Sequence, residues 1–237
     1  MDSVKITYDS ITDIGKRKNN EDRLLCIHKE RDKGTFAVFA VADGVGGRPR
    51  GENASTIVMN EVKLWAKKMF YQSEEDTIDP LKELQRLIKC ANTHVFNYGV
   101  KNGIHPGSTL TMLLFYDSAI YLAHVGDSVA YQIENGFSYK ISDDHIGYRG
   151  KKKGLTSCIG TREKVNVIQT RKLKANLPTV FFIGSDGIFN TLQINRYIEP
   201  LMNEKKGVLS EIVKNIRAEG ETDNATGIVI KVRKNGQ

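Results

Sequence analysis

Four aspartates in this sequence lie at the ends of apolar runs. Three of them follow an apolar run, and the fourth precedes one. Asp43, Asp127 and Asp186 each end an apolar run and each lies beside a glycine, and Asp223 comes just before another apolar run. Carboxylates are costly to bury unless they are paired or bind a metal. The pattern therefore predicts that buried strands bring these acids together around a hard cation, and it favours a metal-dependent reaction.

The candidate ligands are all oxygen atoms, which suits Mg²⁺ or Mn²⁺ and argues against zinc. Two such ions can lower the pKa of a shared water and neutralise phosphate charge. A single Asp-Gly pair more often marks a hairpin turn. Asp43 argues against that interpretation, because the glycine-rich residues 44–51 form no returning strand and lead into a helix. Such a loop suits the close approach of a backbone to an ion or anion.

Composition excludes several classes of protein. The cysteines, Cys26, Cys90 and Cys158, are odd in number and far apart, so they indicate a reducing cytosol and no disulfide framework. The N-terminus does not read as a signal peptide, and no apolar run is long enough to span a membrane. A net charge of +7 is compatible with binding to nucleic acid. The lysines are dispersed along the sequence, however, and this distribution indicates a basic surface exposed to solvent.

Hydrophobic periodicity predicts strands and helices in a definite order. The predicted strands are residues 4–12, 23–28, 36–42, 108–116, 120–124, 129–133, 137–141, 165–173, 179–184 and 227–232. The predicted helices are residues 51–70, 81–98, 188–202 and 208–218, with loops at 73–80 and 142–154. Without an internal repeat or linker, residues 1–237 are expected to form one domain. The order predicts an α+β sandwich of antiparallel sheets covered by helices.

Six short motifs occur along the chain in an order that resembles a known family. They are Arg17-Lys-Asn-Asn-Glu-Asp22, Val41-Ala-Asp-Gly-Val-Gly-Gly47, Gly107-Ser-Thr-Leu110, Ala123-His-Val-Gly-Asp-Ser128, Gly184-Ser-Asp-Gly187 and Asp223-Asn-Ala-Thr226. Each alone is unspecific. Together they cover nearly the whole chain and resemble the metal-dependent type 2C protein serine/threonine phosphatases in their bacterial form.

This resemblance implies two stacked β-sheets flanked by helices, with a centre of two Mn²⁺ or Mg²⁺ ions between the sheets. By the resemblance, Asp43 would bridge both ions and the carbonyl of Gly44 would complete one site. Asp186 and Asp223 would hold the other ion. Asp127, together with Asp186, matches a weaker third site of the family.

The resemblance also implies roles for three residues near the N-terminus. Glu21 and Asp22 would act through metal-bound water, and Arg17 would bind the substrate phosphate, a task suited to a guanidinium. The reaction would be hydrolysis of phosphoserine and phosphothreonine by attack of a metal-bridging water, without a covalent phosphoenzyme. The expected partners are proteins that a serine/threonine kinase has phosphorylated. The protein itself is expected to be a cytoplasmic monomer that binds neither membrane nor nucleic acid.

The sequence departs from the family at a few positions. Val45 stands where many members carry a histidine that is proposed to protonate the leaving group, and Val129 stands where arginine is usual. His124 and His145 are the nearest alternatives, and a structural or solvated role is expected for each. These departures keep open a second interpretation, a catalytically weak relative that serves as a binding or regulatory module.

The segment between Asp144 and Gly160 is shorter than the helical flap that bacterial members usually carry beside the active site. Its residues 149–154 are basic and glycine-rich. Two interpretations stay open here. The segment is either a shortened connection or a basic lip that receives an acidic phosphosubstrate.

Overall fold

The computed structural model describes residues 4–31, 34–45, 50–71, 78–150, 152–203 and 205–234. These residues form two five-stranded antiparallel sheets and a small two-stranded one. The strands are β1 (Val4–Asp13), β2 (Asp22–Arg31), β3 (Gly34–Asp43), β4 (Leu110–Asp117), β5 (Ala119–Val125), β6 (Val129–Glu134), β7 (Phe137–Lys140), β8 (Ile146–Arg149), β9 (Lys152–Leu155), β10 (Gln169–Leu173), β11 (Thr179–Gly184) and β12 (Ala225–Lys234). The helices are α1 (Gly51–Tyr71), α2 (Pro80–Asn102), α3 (Asp186–Phe189), α4 (Ile198–Met202) and α5 (Val208–Ala218), with a 3-10 helix at Ile194–Tyr197.

The two large sheets stack face to face, with strand orders β1-β12-β11-β6-β7 and β10-β5-β4-β3-β2. β3 shows why its sequence is apolar throughout. Phe39 and Val41 face the core between the sheets, whereas Val38 and Ala40 face the helices α1 and α2. A strand buried on both faces needs apolar residues at successive positions rather than at every second one. The predicted α+β sandwich is therefore confirmed.

The second helix is longer than the sequence predicts. Asp79 accepts hydrogen bonds from the backbone N–H groups of Leu81 and Lys82, and the helix ends where Gly103 adopts a left-handed conformation with φ 64°. Gly99, one residue beyond the predicted end of this helix, lies inside it. A Cβ atom there would come within 2.8 Å of the Ile104 carbonyl oxygen, so this glycine allows close packing rather than a chain break.

The helix predicted over residues 188–202 is wrong as one element. The structure has α3, the 3-10 helix and α4 in its place. Asn190 and Thr191 follow α3 directly, and both are poor helix formers. The buried Ile188, Ile194 and Leu201 therefore reach the core that α5 covers from separate short turns.

Three other segments also differ from the prediction. The loop predicted over residues 142–154 contains the hairpin of β8 and β9, whose turn has Gly150 at φ 62°. The strand predicted over residues 165–173 begins only at Gln169. Of the loop predicted at residues 73–80, residues 73–77 lie outside the described part of the chain, and Pro80 already belongs to α2.

Within the described ranges, no helix has the length and apolar character needed to cross a membrane.

Candidate active site

A pocket of about 430 Å³ opens where ends of strands from the two sheets meet. It is lined by Arg17, Lys18, Asn19, Glu21, Asp43, Gly44, Val45, Thr109, Asp127, Gly154, Leu155, Asp186, Asp223 and Asn224. The predicted site residues all lie on this wall with the exception of Asp22. Side chains that are far apart in the sequence therefore share one solvent-filled space.

Asp43 is fixed at the end of β3 by the neighbouring strand. Its N–H donates to Thr109 Oγ1 at 3.0 Å, and the Thr109 N–H donates to the Asp43 carbonyl oxygen at 2.8 Å. Thr109 Oγ1 in turn lies 2.7 Å from the buried Ser128 Oγ. Both Thr109 and Ser128 belong to motifs of the sequence, but no role followed for either from the motif alone. They hold the backbone of the central aspartate.

Two carboxyl groups of the pocket, those of Asp43 and Asp186, resist ionisation. Burial, followed by the negative charges of Asp22, Asp186 and Asp127, raises the pKa of Asp43 well above its usual range. Burial, followed by the charge of Asp223, likewise raises the pKa of Asp186. Several acids are held in a low-dielectric site where their charges oppose one another. Such an arrangement favours the binding of cations.

Asp22 lies behind the pocket wall, opposite Asp43 in the pairing of β2 with β3. Its Oδ2 accepts a hydrogen bond from Ser185 Oγ at 2.7 Å, and its side chain is buried. Burial raises the pKa of Asp22 to about 6, although the hydrogen bonds from Ser185 and Thr226 oppose the change. Sequence reasoning missed Ser185, which belongs to the motif around Asp186. Asp22 therefore lies behind Asp43 rather than on the wall of the pocket.

Three observations fit this pocket to hard divalent cations. Asp22 Oδ1 is buried and has no hydrogen-bond partner among the described residues. The backbone at Gly44 is packed so closely that a Cβ atom there would lie 2.4 Å from the Gly51 carbonyl oxygen, which leaves the loop no room for a side chain. Finally, the donor atoms on the wall are carboxylate and carbonyl oxygens, the ligands that Mg²⁺ and Mn²⁺ prefer.

Among the described residues, the acids of the pocket line one shared space without three of their side chains meeting at one point. Within the described ranges, no three acidic side chains of the pocket bring oxygen atoms within 4.8 Å of one another. Asp223 instead contacts a cation of the chain itself, since Arg17 Nη2 donates to Asp223 Oδ2 at 2.5 Å. This hydrogen bond, followed by the charge of Asp223, raises the pKa of Arg17.

Asn224 holds the loop that carries Arg17. Its Nδ2 donates to the carbonyl oxygens of Ile14 and Asn19 at 2.9 and 3.0 Å. Its Oδ1 accepts the N–H of Glu21 at 2.8 Å. One buried side chain thus ties both ends of the Arg17 loop to the residue beside Asp223. Asn224 lies inside the last of the six motifs, but no role followed from the motif alone.

Glu21 lies between the pocket and the start of α1. Its carbonyl oxygen accepts hydrogen bonds from Ser55 Oγ at 2.5 Å and from the Gly44 N–H at 3.1 Å. Burial, followed by the charge of Glu52, raises the pKa of its carboxyl group. The contact with Gly51 is close, because a Cβ there would lie 2.6 Å from Glu21 Oε2. The side chain therefore reaches the pocket from a fixed backbone.

Comparison with known proteins decides the family. Residues 12–218 match the family model described as Protein phosphatase 2C. The chain belongs to the protein phosphatase 2C family. The serine/threonine phosphatase stp of Listeria innocua is 26% identical over 246 residues, which cover 93% of each chain. The family and fold class predicted from the sequence are confirmed, and the predicted enzyme class, protein phosphatase, is that of the family.

Two further similarities describe how much of the chain is matched. A putative protein phosphatase 2C-type protein of Streptococcus pyogenes is 28% identical over 138 residues, which cover 56% of this chain and 53% of that protein. The chain thus aligns with about half the length of this relative. The catalytic domain of the phosphatase PstP, solved in complex with two manganese ions, is similar in fold, with a TM-score of 0.75. That likeness covers 98% of this chain and 100% of PstP's domain at 24% identity.

The histidines of this phosphatase 2C chain that lie near the pocket are structural. His124 Nδ1 lies 2.8 Å from Thr111 Oγ1, and its Nε2 lies 2.9 Å from the Asp143 carbonyl oxygen. His145 Nδ1 accepts the Gly126 N–H at 3.1 Å. Both side chains are buried and neither lines the pocket, which confirms the role expected from the sequence.

The hairpin of β8 and β9 forms one rim of the phosphatase pocket. Its residues Gly154 and Leu155 line the wall beside Val45. The predicted basic lip lies only partly within the described structure, because Lys151 and the side chains of residues 149, 152 and 153 fall outside it. The rim position agrees with either interpretation of this segment, and the basic lip stays a prediction.

Proposed function

We propose that this pocket hydrolyses phosphoserine and phosphothreonine in phosphorylated proteins, with two Mn²⁺ or Mg²⁺ ions as cofactors and a weaker third site. The observation that carries the proposal is the presence of Asp43, Asp127, Asp186 and Asp223 on the wall of one pocket that also holds Arg17. The carboxylates would hold cations, and the guanidinium would hold a phosphate. The chain supplies both kinds of group in one space.

Each acid has its own place in this proposal. Asp43 would contact both ions, the Gly44 carbonyl would complete one site, and Asp186 and Asp223 would hold the other. Asp127 with Asp186 would form the weaker third site. When bound, the divalent cations supply Lewis-acid activation of water and neutralise phosphate charge. The manganese ions in the PstP domain, which has the same fold, support this assignment.

Arg17 would bind and orient the phosphate. Its side chain is 51% exposed at the pocket mouth, whereas the loop beneath it is held by Asn224. The guanidinium can present two N–H groups to two phosphate oxygens at once, and it stays charged at every working pH. Because the loop is held in place while the Arg17 side chain extends into the pocket mouth, this arrangement is suited to positioning a phosphate.

Glu21 and Asp22 would act on protons rather than on the phosphate. Asp22 Oδ1 faces no protein donor among the described residues, so it can accept a hydrogen bond from water. Because Asp22 lies opposite Asp43, its charge state also sets how readily Asp43 ionises. Glu21 reaches the pocket and can accept a water hydrogen bond there. With Val45 at the position of the usual histidine, water would protonate the leaving alkoxide.

The setting of the enzyme is part of the same proposal. Residues 1–237 would form one catalytic domain that works as a monomer in the cytoplasm on proteins phosphorylated by a serine/threonine kinase. The free cysteines Cys26, Cys90 and Cys158 support a reducing compartment. The family to which the chain belongs supports phosphorylated proteins as the substrate class.

Hydrolysis of a phosphothreonine peptide with Mn²⁺, Mg²⁺, Ca²⁺ or EDTA tests the proposal. Turnover should occur with Mn²⁺ or Mg²⁺ and stop with EDTA. A second function, a catalytically weak module that binds phosphoproteins, is favoured by Val45 alone. It predicts retention of a phosphopeptide without release of phosphate under every metal condition, and that result would replace the enzymatic proposal.

A further inference from the structure

A second group of metal-ligand side chains lies on the outer surface, between α1 and α2. Glu61 comes from α1, and Cys90 and His94 come from α2. Each offers one ligand atom, and these atoms all lie within 4.8 Å of one another. None of the three residues lines the phosphatase pocket.

Both partners on α2 point at the same carboxylate. His94 Nδ1 lies 2.7 Å from Glu61 Oε1, and the Cys90 thiol donates to Glu61 Oε2 at 3.5 Å. Residues four apart lie on one face of a helix, so Cys90 and His94 are neighbours by geometry. A tetrahedral zinc ion with bonds of about 2.0–2.3 Å separates its ligand atoms by roughly 3.3–3.8 Å. The present spacing is close to that range.

The helix packing holds this geometry in place. Val58 and Val62 of α1 are buried on either side of Glu61, and Ala91 and Val95 of α2 are buried beside Cys90 and His94 in the same core. The backbones that carry the ligands are therefore fixed, and only side-chain rotations are needed to bind an ion. Preorganisation of this kind is what a metal site requires.

A surface ion pair explains only part of the arrangement. Glu61 and His94 alone would form a weakly stabilising pair. The ion pair of Glu61 and His94 does not require a third group, so it does not explain why the Cys90 thiol is directed at the same carboxylate. A carboxylate, an imidazole and a thiol that converge from two helices form a mixed O, N and S ligand set, which suits zinc and differs from the all-oxygen set of the phosphatase pocket.

We infer that Glu61, Cys90 and His94 form a second metal site that binds Zn²⁺, with water in the fourth position. The ion would replace the thiol proton of Cys90 and the hydrogen bond between Glu61 and His94. Because its ligands come from both α1 and α2, the bound ion would clamp the two helices together. Its main effect would be on stability, since none of the three ligands lines the pocket.

Cobalt absorption provides a direct test, because Co²⁺ substitutes for Zn²⁺ and a cobalt–thiolate bond gives a near-ultraviolet charge-transfer band. Wild-type protein titrated with Co²⁺ should show the band, and excess Zn²⁺ should remove it. Cys90→Ser should lose the band. Cys26→Ser removes another thiol and should keep it, as should Asp43→Asn, which alters the phosphatase pocket. Absence of the band in wild type, or its survival in Cys90→Ser, would overturn the site.

Zinc-induced stabilisation adds a second readout. Zn²⁺ should raise the Tm of wild type and of Asp43→Asn but not of Cys90→Ser or His94→Gln. Loss of either ligand should weaken zinc binding by more than the roughly 10–100-fold that loss of an outer-shell partner costs. Cys90 and His94 are exposed enough for substitution, so metal-free Tm values and circular dichroism should match wild type. Equal stabilisation of Cys90→Ser and wild type by zinc would contradict the assignment.

Discussion

Arg17 Nη2 lies 2.5 Å from Asp223 Oδ2, so the residue expected to bind phosphate is paired with a residue expected to bind metal. The two side chains are 206 positions apart in the sequence and meet at the mouth of the pocket. Both are partly exposed, at 51% and 32%, and exposed ion pairs contribute only about 0–1 kcal/mol. The pair therefore separates at little cost when a cation occupies Asp223 and a phosphate occupies Arg17.

Replacement of Arg17 by alanine should impair substrate binding more than metal binding. KM for a phosphothreonine peptide should rise about tenfold or more, because a hydrogen bond to a charged group contributes about 1.5–3 kcal/mol. The Mn²⁺ concentration for half-maximal activity should stay nearly constant. Arg17→Lys keeps the charge without the two-pronged donor and should give an intermediate KM. An unchanged KM in Arg17→Ala would remove this residue from the phosphate site.

Stabilisation of the protein by Mn²⁺ should depend on pH. The folded-state pKa of Asp22 is about 6, above its ordinary value of 3.8, so folding favours its protonated form. The stability from this group is present below pH 3.8 and is lost as the pH rises through about 6. Bound cations remove this penalty. The Mn²⁺-induced rise in Tm, measured by differential scanning fluorimetry, should be larger near pH 7.5 than near pH 5. A larger rise at the lower pH would contradict the assignment of the acids to cations.

Acid should destabilise the fold through His124. Burial, followed by the charge of His145, lowers the pKa of His124 to about 4 from its ordinary value of 6.5. Folding favours the neutral ring, so the stability is present above pH 6.5 and is lost as the pH falls toward 4. The free energy of unfolding should fall less steeply with acidification in His124→Gln than in wild type at equal Mn²⁺. The exposed His105→Gln should follow wild type, and identical slopes for all three proteins would refute the role.

Asn224 should matter for catalysis although it is not an expected metal ligand. Asn224→Ala removes the hydrogen bonds that hold the Arg17 loop at both ends. Misplacement of a binding group by about 1 Å can cost about 100-fold in rate, so kcat/KM should fall by one to two orders of magnitude while Mn²⁺ still raises Tm. The exposed Asn102→Ala is the matched control and should behave like wild type. Full activity of a folded Asn224→Ala protein would show that the loop needs no such clamp.

The strands that carry the acids could be predicted from the sequence because their burial leaves a local signal. β3 is buried on both faces, and its apolar run ends at Asp43 in the sequence as it does in the structure. The hairpin of β8 and β9 leaves no such signal, since its residues are mostly glycine, lysine and arginine and its turn depends on one left-handed glycine, Gly150. Patterns of burial therefore predict the framework better than its rim.

The contacts between the site residues could be predicted only in part from the sequence. Motifs identified Arg17 and Asp223, but their contact depends on how β12 and the N-terminal loop pack, which no local pattern contains. The same holds for Asp22, whose place behind Asp43 follows from the pairing of β2 with β3. Asn224 shows the converse case, because the motif marks the residue and only the structure gives its hydrogen bonds. The roles of the site residues as metal and phosphate ligands stay predictions.

The central claim is that Asp43 holds the catalytic cations, and the rate of phosphothreonine peptide hydrolysis by Asp43→Asn at saturating Mn²⁺ tests it most directly. The matched control is Asp9→Asn, which removes an exposed carboxylate on β1. Asp43→Asn should fold, with a circular dichroism spectrum like that of wild type, and should lose nearly all turnover while Asp9→Asn keeps it. A folded Asp43→Asn protein that retains most of the wild-type rate would contradict the claim.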